Sequence, residues 1–193
     1  VTSLASAADP RAQLAAHRQL VDSVEALLPT VLAVATALTA VFAGGGRLYT
    51  FGNGGSAADA QHLAAELTGR YLRERRPLPA HALVGDPATL TCIANDYGAD
   101  ELFARQVDAY AGPGDVVAAF STSGRSPNVV TGLARARTRG AVTVLFGGGD
   151  GGPAAEHADH LLLVPSTETA RIQEMHVLLL HLISEQVDAW AAA

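Results

Sequence analysis

The segment Phe51-Gly52-Asn53-Gly54-Gly55-Ser56 closes an apolar run, Leu48–Phe51, and precedes a helix-like stretch from Ala57 to Arg70. A strand, a glycine-rich turn and a helix N-terminus together make an anion site. Glycine lets the backbone come close to a ligand, and the first helical N–H groups point at it. The same helix carries His62 and Glu66 at i and i+4, which puts an imidazole and a carboxylate on one face. A second turn, Ser121-Thr122-Ser123-Gly124-Arg125-Ser126, offers the hydroxyls of Ser121, Thr122, Ser123 and Ser126 before another helix. Such a surface can wrap phosphate oxygens without a lysine. Each turn alone is ordinary loop punctuation. Two at comparable strand ends, where open α/β sheets bind ligands, point to a phosphorylated small molecule. Neither is a dinucleotide fingerprint, and no Walker lysine follows.

A further pair lies near the C-terminus. Gln173 and His181 differ by about 80° around a helix, so both can border one cavity. His181 stands inside the apolar run Val177–Ile183, where a polar ring requires a partner. His62, Glu66, Gln173 and His181 therefore form a candidate site. Two imidazoles with carboxylate and amide oxygens suit zinc or a similar divalent ion. Equally, Glu66 and His181 suit the base and acid of a proton transfer, and spacing does not choose between these roles. His176, five residues from His181, points away and reads as structural, as do His17, His81, His157 and His160.

These residues need a scaffold. Residues 9–43 show helical spacing, broken near Pro29 into two helices. Strands are predicted at Arg47–Phe51, Ala80–Val84, Val116–Phe120, Ala141–Phe146 and His160–Val164, with helices at 57–70, 127–139 and from Glu168 onward. Continuous apolar strands alternating with helices mean an α/β three-layer sandwich: a five-stranded parallel sheet flanked by helices, preceded by N-terminal helices. The expected organisation is one domain over 1–193, with a helical segment at 1–46 and the parallel α/β core with its C-terminal helix at 47–193. A net charge of −6 argues against a nucleic-acid partner held by general electrostatics. The lone Cys92 excludes an internal disulfide and suits a reducing compartment. Val31–Gly46 reads as too short to span a membrane, and no signal peptide is visible at Val1-Thr2-Ser3-Leu4. The expectation is a soluble cytoplasmic protein without a membrane partner.

Five segments in order carry a resemblance: Phe51–Ser56, Ala64-Ala65-Glu66-Leu67-Thr68-Gly69-Arg70-Tyr71, Asn95-Asp96-Tyr97-Gly98, Ser121–Gly124 and Arg171-Ile172-Gln173-Glu174-Met175-His176. Together the chain resembles the phosphoheptose isomerases of the sugar isomerase (SIS) domain family over nearly its whole length. The resemblance implies a homotetramer with active sites at subunit interfaces, assembled through the N-terminal helices. It implies zinc held by His62, Glu66, Gln173 and His181. It implies substrate contacts from Asn53, Gly54, Gly55, Ser56, Glu66, Arg70, Asn95, Asp96, Ser121, Thr122, Ser123, Ser126 and Gln173. The reaction would interconvert sedoheptulose 7-phosphate and D-glycero-D-manno-heptose 7-phosphate through an enediol, with Glu66 as base and His181 as acid/base. One departure stands out: the family's acidic residue before Arg-Ile-Gln is Ala170 here, with Glu168 nearby. The rival readings are a non-catalytic relative that binds a replication initiator and an aldose–ketose isomerase for another sugar phosphate. The first would not need the four-residue site.

Overall fold

The computed structural model describes residues 9–193. The order is α1 (Pro10–Val24), α2 (Leu28–Ala43), β1 (Leu48–Gly52), α3 (Gly55–Thr68), β2 (Ala80–Ala82), α4 (Pro87–Tyr97), α5 (Ala104–Tyr110), β3 (Val116–Ser121), α6 (Pro127–Thr138), β4 (Val142–Gly148), β5 (His160–Val164) and α7 (Thr169–Ala191). All strands pair in parallel, in the order β2-β1-β3-β4-β5. Every residue of β1 and β3 is buried, which is why both read as unbroken apolar runs. One face of the sheet is covered by α2, α3 and α7, with Leu38, Leu63, Leu67, Met175 and Leu179 at the core. The other is covered by α5 and α6, around Phe51, Phe103, Val107 and Leu133.

The expected three-layer architecture is present, with differences at its margins. The two N-terminal helices are one helical run, joined by a 3-10 turn at Glu25–Leu27, with Pro29 in the first turn of α2. By length and composition this Pro10–Ala43 run could cross a bilayer, which the Val31–Gly46 estimate missed. In the fold, α2 buries Val31, Val34, Ala35, Leu38 and Phe42 as part of the core. The joined run still leaves Leu14, Val21, Leu28 and Leu32 exposed. β2 stops at Ala82, because Leu83 bends into a turn at the sheet edge. Helices α4 and α5 were not anticipated: α4 buries only Ile93, so it carries no apolar periodicity, and α5 is a seven-residue element.

The chain leaves β1 for β2 on one side and returns across it to β3 on the other. That reversal opens a crevice between the carboxyl ends of β1 and β3, the usual ligand position of a doubly wound sheet. The two turns singled out in the sequence lie at these two strand ends.

Candidate active site

The β1 turn feeds directly into α3, and Gly55 is the first residue of that helix. A Cβ on Gly55 would stand 2.6 Å from Gln173 Nε2 and 2.9 Å from its Oε1, so only glycine lets this amide lie against the helix start. Across the crevice, Asn53 and Asn128 exchange two side-chain hydrogen bonds of 2.9 Å, clasping the β1 turn to the first turn of α6. Between the turns lies a cavity of about 170 Å³, lined by Asn53, Ser56, Ser121, Thr122, Ser123, Ser126, Thr169 and Gln173. Ser121 Oγ accepts from the Gly124 N–H and Ser123 Oγ from the Arg125 N–H. Both hydroxyl protons are then free to be donated to a ligand's oxygens. Gly124 adopts φ +61°, and a Cβ there would fall 1.7 Å from Gly151 O, so the turn closes onto the next loop only with glycine.

The second part of the site lies further along α3. His62 Nε2 is 3.1 Å from Glu66 Oε1 and 3.3 Å from His181 Nε2 on α7. The ligating atoms of His62, Glu66 and His181 all lie within 4.8 Å of one another. A single proton on His62 Nε2 can serve only one of its two neighbours. Three lone-pair donors converging in this way fit a shared cation, and the imidazole–imidazole–carboxylate set is one that zinc accepts. Tyr71 leans over His181 with ring centroids 5.7 Å apart. Burial pushes His181 below the ordinary histidine range, with repulsion from His62 adding to this and Glu66 opposing it. The ring is therefore neutral near pH 7, as a ligand or proton acceptor must be.

The structure brings together three of the four donors expected from the sequence. Gln173 lies eight residues before His181, about 12 Å along the helix axis, with its amide at the hydroxyl-lined cavity. Arg70 is exposed, and its guanidinium donates to Leu72 O. Asn95 and Asp96 are exposed on α4, where Asn95 Nδ2 donates to Asp96 Oδ1. His176 is structural as read: fully buried, bonded to Gly147 O at 3.1 Å and edge-on to Phe120 and Phe146. His17 pairs with Glu174 and ties α1 to α7.

Three residues escaped the sequence reading. Asn128 and Thr169 lie in first helical turns at strand carboxyl ends, and that placement was the available signal. Asp59 is buried on α3 between Ser56 and His62, and its Oδ2 has no hydrogen-bond partner among the described residues. Burial raises its pKa to about 6, against the pull of His62.

The chain is similar to known proteins over most of its length. The SIS domain family matches residues 14–148. A phosphoheptose isomerase of Geobacter metallireducens is 50% identical over 177 residues, covering 91% of this chain and 94% of that protein. One from Paramagnetospirillum magneticum is 56% identical over 150 residues, 78% of each. The solved phosphoheptose isomerase of Neisseria gonorrhoeae superimposes with a TM-score of 0.88 at 39% identity, covering 93% of this chain and 96% of that one.

Proposed function

The chain belongs to the phosphoheptose isomerases of the SIS domain family, and we propose that it interconverts sedoheptulose 7-phosphate and D-glycero-D-manno-heptose 7-phosphate. The observation that carries this reading is that one helix, α3, serves both ends of the site. Ser56 in its first turn lines the hydroxyl cavity, and His62 and Glu66 form the donor cluster. Six residues separate Ser56 from His62, about 9 Å along the axis. The phosphate and the reacting end of an open seven-carbon chain are a comparable distance apart.

In this reading the Ser121, Ser123 and Ser126 hydroxyls, with Thr122, Ser56 and the N-terminus of α3, hold the phosphate. Asn53, Gly54, Gly55 and Gln173 line the path from there to the reacting carbons. Glu66 takes a proton from C1 of the ketose and returns it to C2. His181, neutral at the start, takes the C1 hydroxyl proton and delivers it to the C2 oxygen. One proton moves between the carbons and one between the oxygens, so nothing is consumed. Zinc would be held by His62, Glu66 and the neutral His181, whose single lone pair serves either the ion or the shuttled proton; Gln173, the fourth ligand of the family pattern, has its amide at the hydroxyl cavity instead. When bound, it supplies Lewis-acid polarisation of the sugar oxygens, stabilising the charge of the enediolate.

Arg70, Asn95 and Asp96 reach substrate in this proposal only where subunits meet. A homotetramer with active sites at its interfaces is supported by the exposed Leu14, Val21, Leu28 and Leu32 along the N-terminal helical run. A cytoplasmic location suits the free, exposed Cys92 and a phosphorylated substrate.

The test is turnover of sedoheptulose 7-phosphate in D2O, with metal content assayed on the same sample. Product carrying deuterium at C2, with activity lost on chelation and restored by zinc, is the expected result. Absence of turnover by a folded, zinc-loaded protein would reject the assignment.

A further inference from the structure

After α3 the chain makes a strap, Gly69–Pro77, that reaches the donor cluster through Tyr71 and is pinned by a buried ion pair. The Arg75 side chain is fully buried, as is that of Asp188 on α7, and Arg75 Nε donates to Asp188 Oδ1 at 3.1 Å. The rest of the guanidinium caps the end of α3. Its Nη2 donates to Glu66 O at 2.7 Å, and its Nη1 to Leu67 O at 2.8 Å, Gly69 O at 3.1 Å and Arg76 O at 2.9 Å. Asp188 in turn accepts at Oδ2 from the Leu72 and Arg73 N–H groups, at 3.3 and 2.8 Å. Between these anchors lies Tyr71, whose ring rests on His181.

We propose that Arg75, through Asp188, is a positioning residue for the His62–Glu66–His181 cluster. The last carbonyls of a helix have no intrahelical partner and carry its negative dipole end. A cation bonded there, and to a carboxylate on the neighbouring helix, sets the register of α3 against α7 at the level of Glu66. His181 lies seven residues before Asp188, two turns back on the same side of α7. A planar fork with five donors can hold the α3 carbonyls and Asp188 at once, whereas an ammonium cannot reproduce that geometry. Because the pair is anchored at the C-terminal end of α3, it bears on the donor cluster and leaves the hydroxyl cavity at the N-terminal end untouched. The zinc arm of this inference rests on the metal reading given above; the kinetic arm does not.

The experiment compares wild type, Arg75→Lys and a core control, Leu133→Ala, which loses thermal stability from the opposite face of the sheet. Zinc affinity is measured by chelator competition, and kcat and KM for the sugar phosphate separately. Arg75→Lys is expected to lower zinc affinity about tenfold, the scale of support lost around a metal site. Its kcat should fall about as much with KM within twofold, while the control changes neither. Wild-type zinc affinity and kcat in Arg75→Lys would overturn the proposal, as would equal losses in the control. A wild type that isomerises without binding zinc would reject the metal reading and leave the kcat–KM split to decide on Arg75. Should Arg75→Lys not fold, Asp188→Asn, which keeps one of the two acceptor oxygens and removes the charge, carries the same comparison.

Discussion

Replacing Gly55 by alanine isolates what Gln173 does. The new Cβ would stand 2.6 Å from Gln173 Nε2, 2.9 Å from Oε1 and 3.0 Å from Cδ, and no backbone atom is among the three nearest. Ordinary contact requires the amide to retreat by about 1 Å, an adjustment a flexible side chain makes at a cost of about 1 kcal/mol. Gly55 is the first residue of α3 and has no left-handed φ, so alanine fits the backbone and gains up to about 1 kcal/mol of helix propensity. Stability should therefore stay within about 1 kcal/mol of wild type by urea unfolding. Catalysis should not, because a displacement of about 1 Å in a positioning group can lower the rate by about a hundredfold. The assay is kcat/KM for sedoheptulose 7-phosphate in Gly55→Ala, Gln173→Ala and the double variant. The two single losses should not add, since both act through one amide. Wild-type kinetics in a folded Gly55→Ala would refute the assignment of Gln173 to the cavity.

Glu66→Gln should lower turnover by at least a hundredfold while sugar phosphate still binds, measured by calorimetry beside the kinetic assay. Gly124→Ala forces a side chain into φ +61° and drives its Cβ onto the Gly151 carbonyl oxygen, a backbone atom that cannot swing aside. A loss of at least about 3 kcal/mol is expected from strain of that kind, read as a lowered thermal midpoint together with weakened binding of inorganic phosphate. Burial lowers His176 to about 4 from 6.5, although its bond to Gly147 O opposes this. Since the unfolded chain takes up the proton first, stability is level above pH 6.5 and falls as the pH drops towards 4. At pH 5 the loss is about 2 kcal/mol, and His176→Gln should lack that share of the pH dependence in urea titrations; an unchanged slope would contradict it.

Most of the sheet was legible because β1 and β3 are buried on both faces, leaving no polar alternation to confuse their reading. β2 and α4 lie where burial ends, and an element with one buried residue writes no pattern into the chain. Asp86 and Pro87 did mark the start of α4, since Asp86 accepts from the Ala88 N–H and proline follows at once. Within the site, His62 and Glu66 were legible as an i, i+4 pair. Their meeting with His181, 119 residues on, depends on α3 and α7 lying side by side, which no local spacing encodes. The placement of Gln173 was harder still: its distance from His181 around the helix was right, but its distance along the helix put it at the other end of the site. Asn128 illustrates a further limit, because its partner Asn53 lies 75 residues away and the pair forms only where β1 and β3 adjoin.

The missing acidic residue at position 170 can be weighed against this geometry. Ala170 is exposed in the first turn of α7, and Glu168 is exposed just before it, with no cap bond from its side chain. The residue between them, Thr169, is the one that lines the cavity. At the start of α7 the helix dipole favours an anion, and the candidate ligand here is itself a phosphate. A carboxylate beside Thr169 would compete with that phosphate through like charge, whereas alanine leaves the dipole and the Thr169 hydroxyl available to it. Glu66 and His181, the groups proposed to handle protons, lie further along α3 and α7, away from position 170. The chemistry assigned to this chain thus depends on the alignment of two parallel helices, with phosphate held at their N-terminal ends and protons moved about 9 to 12 Å further along.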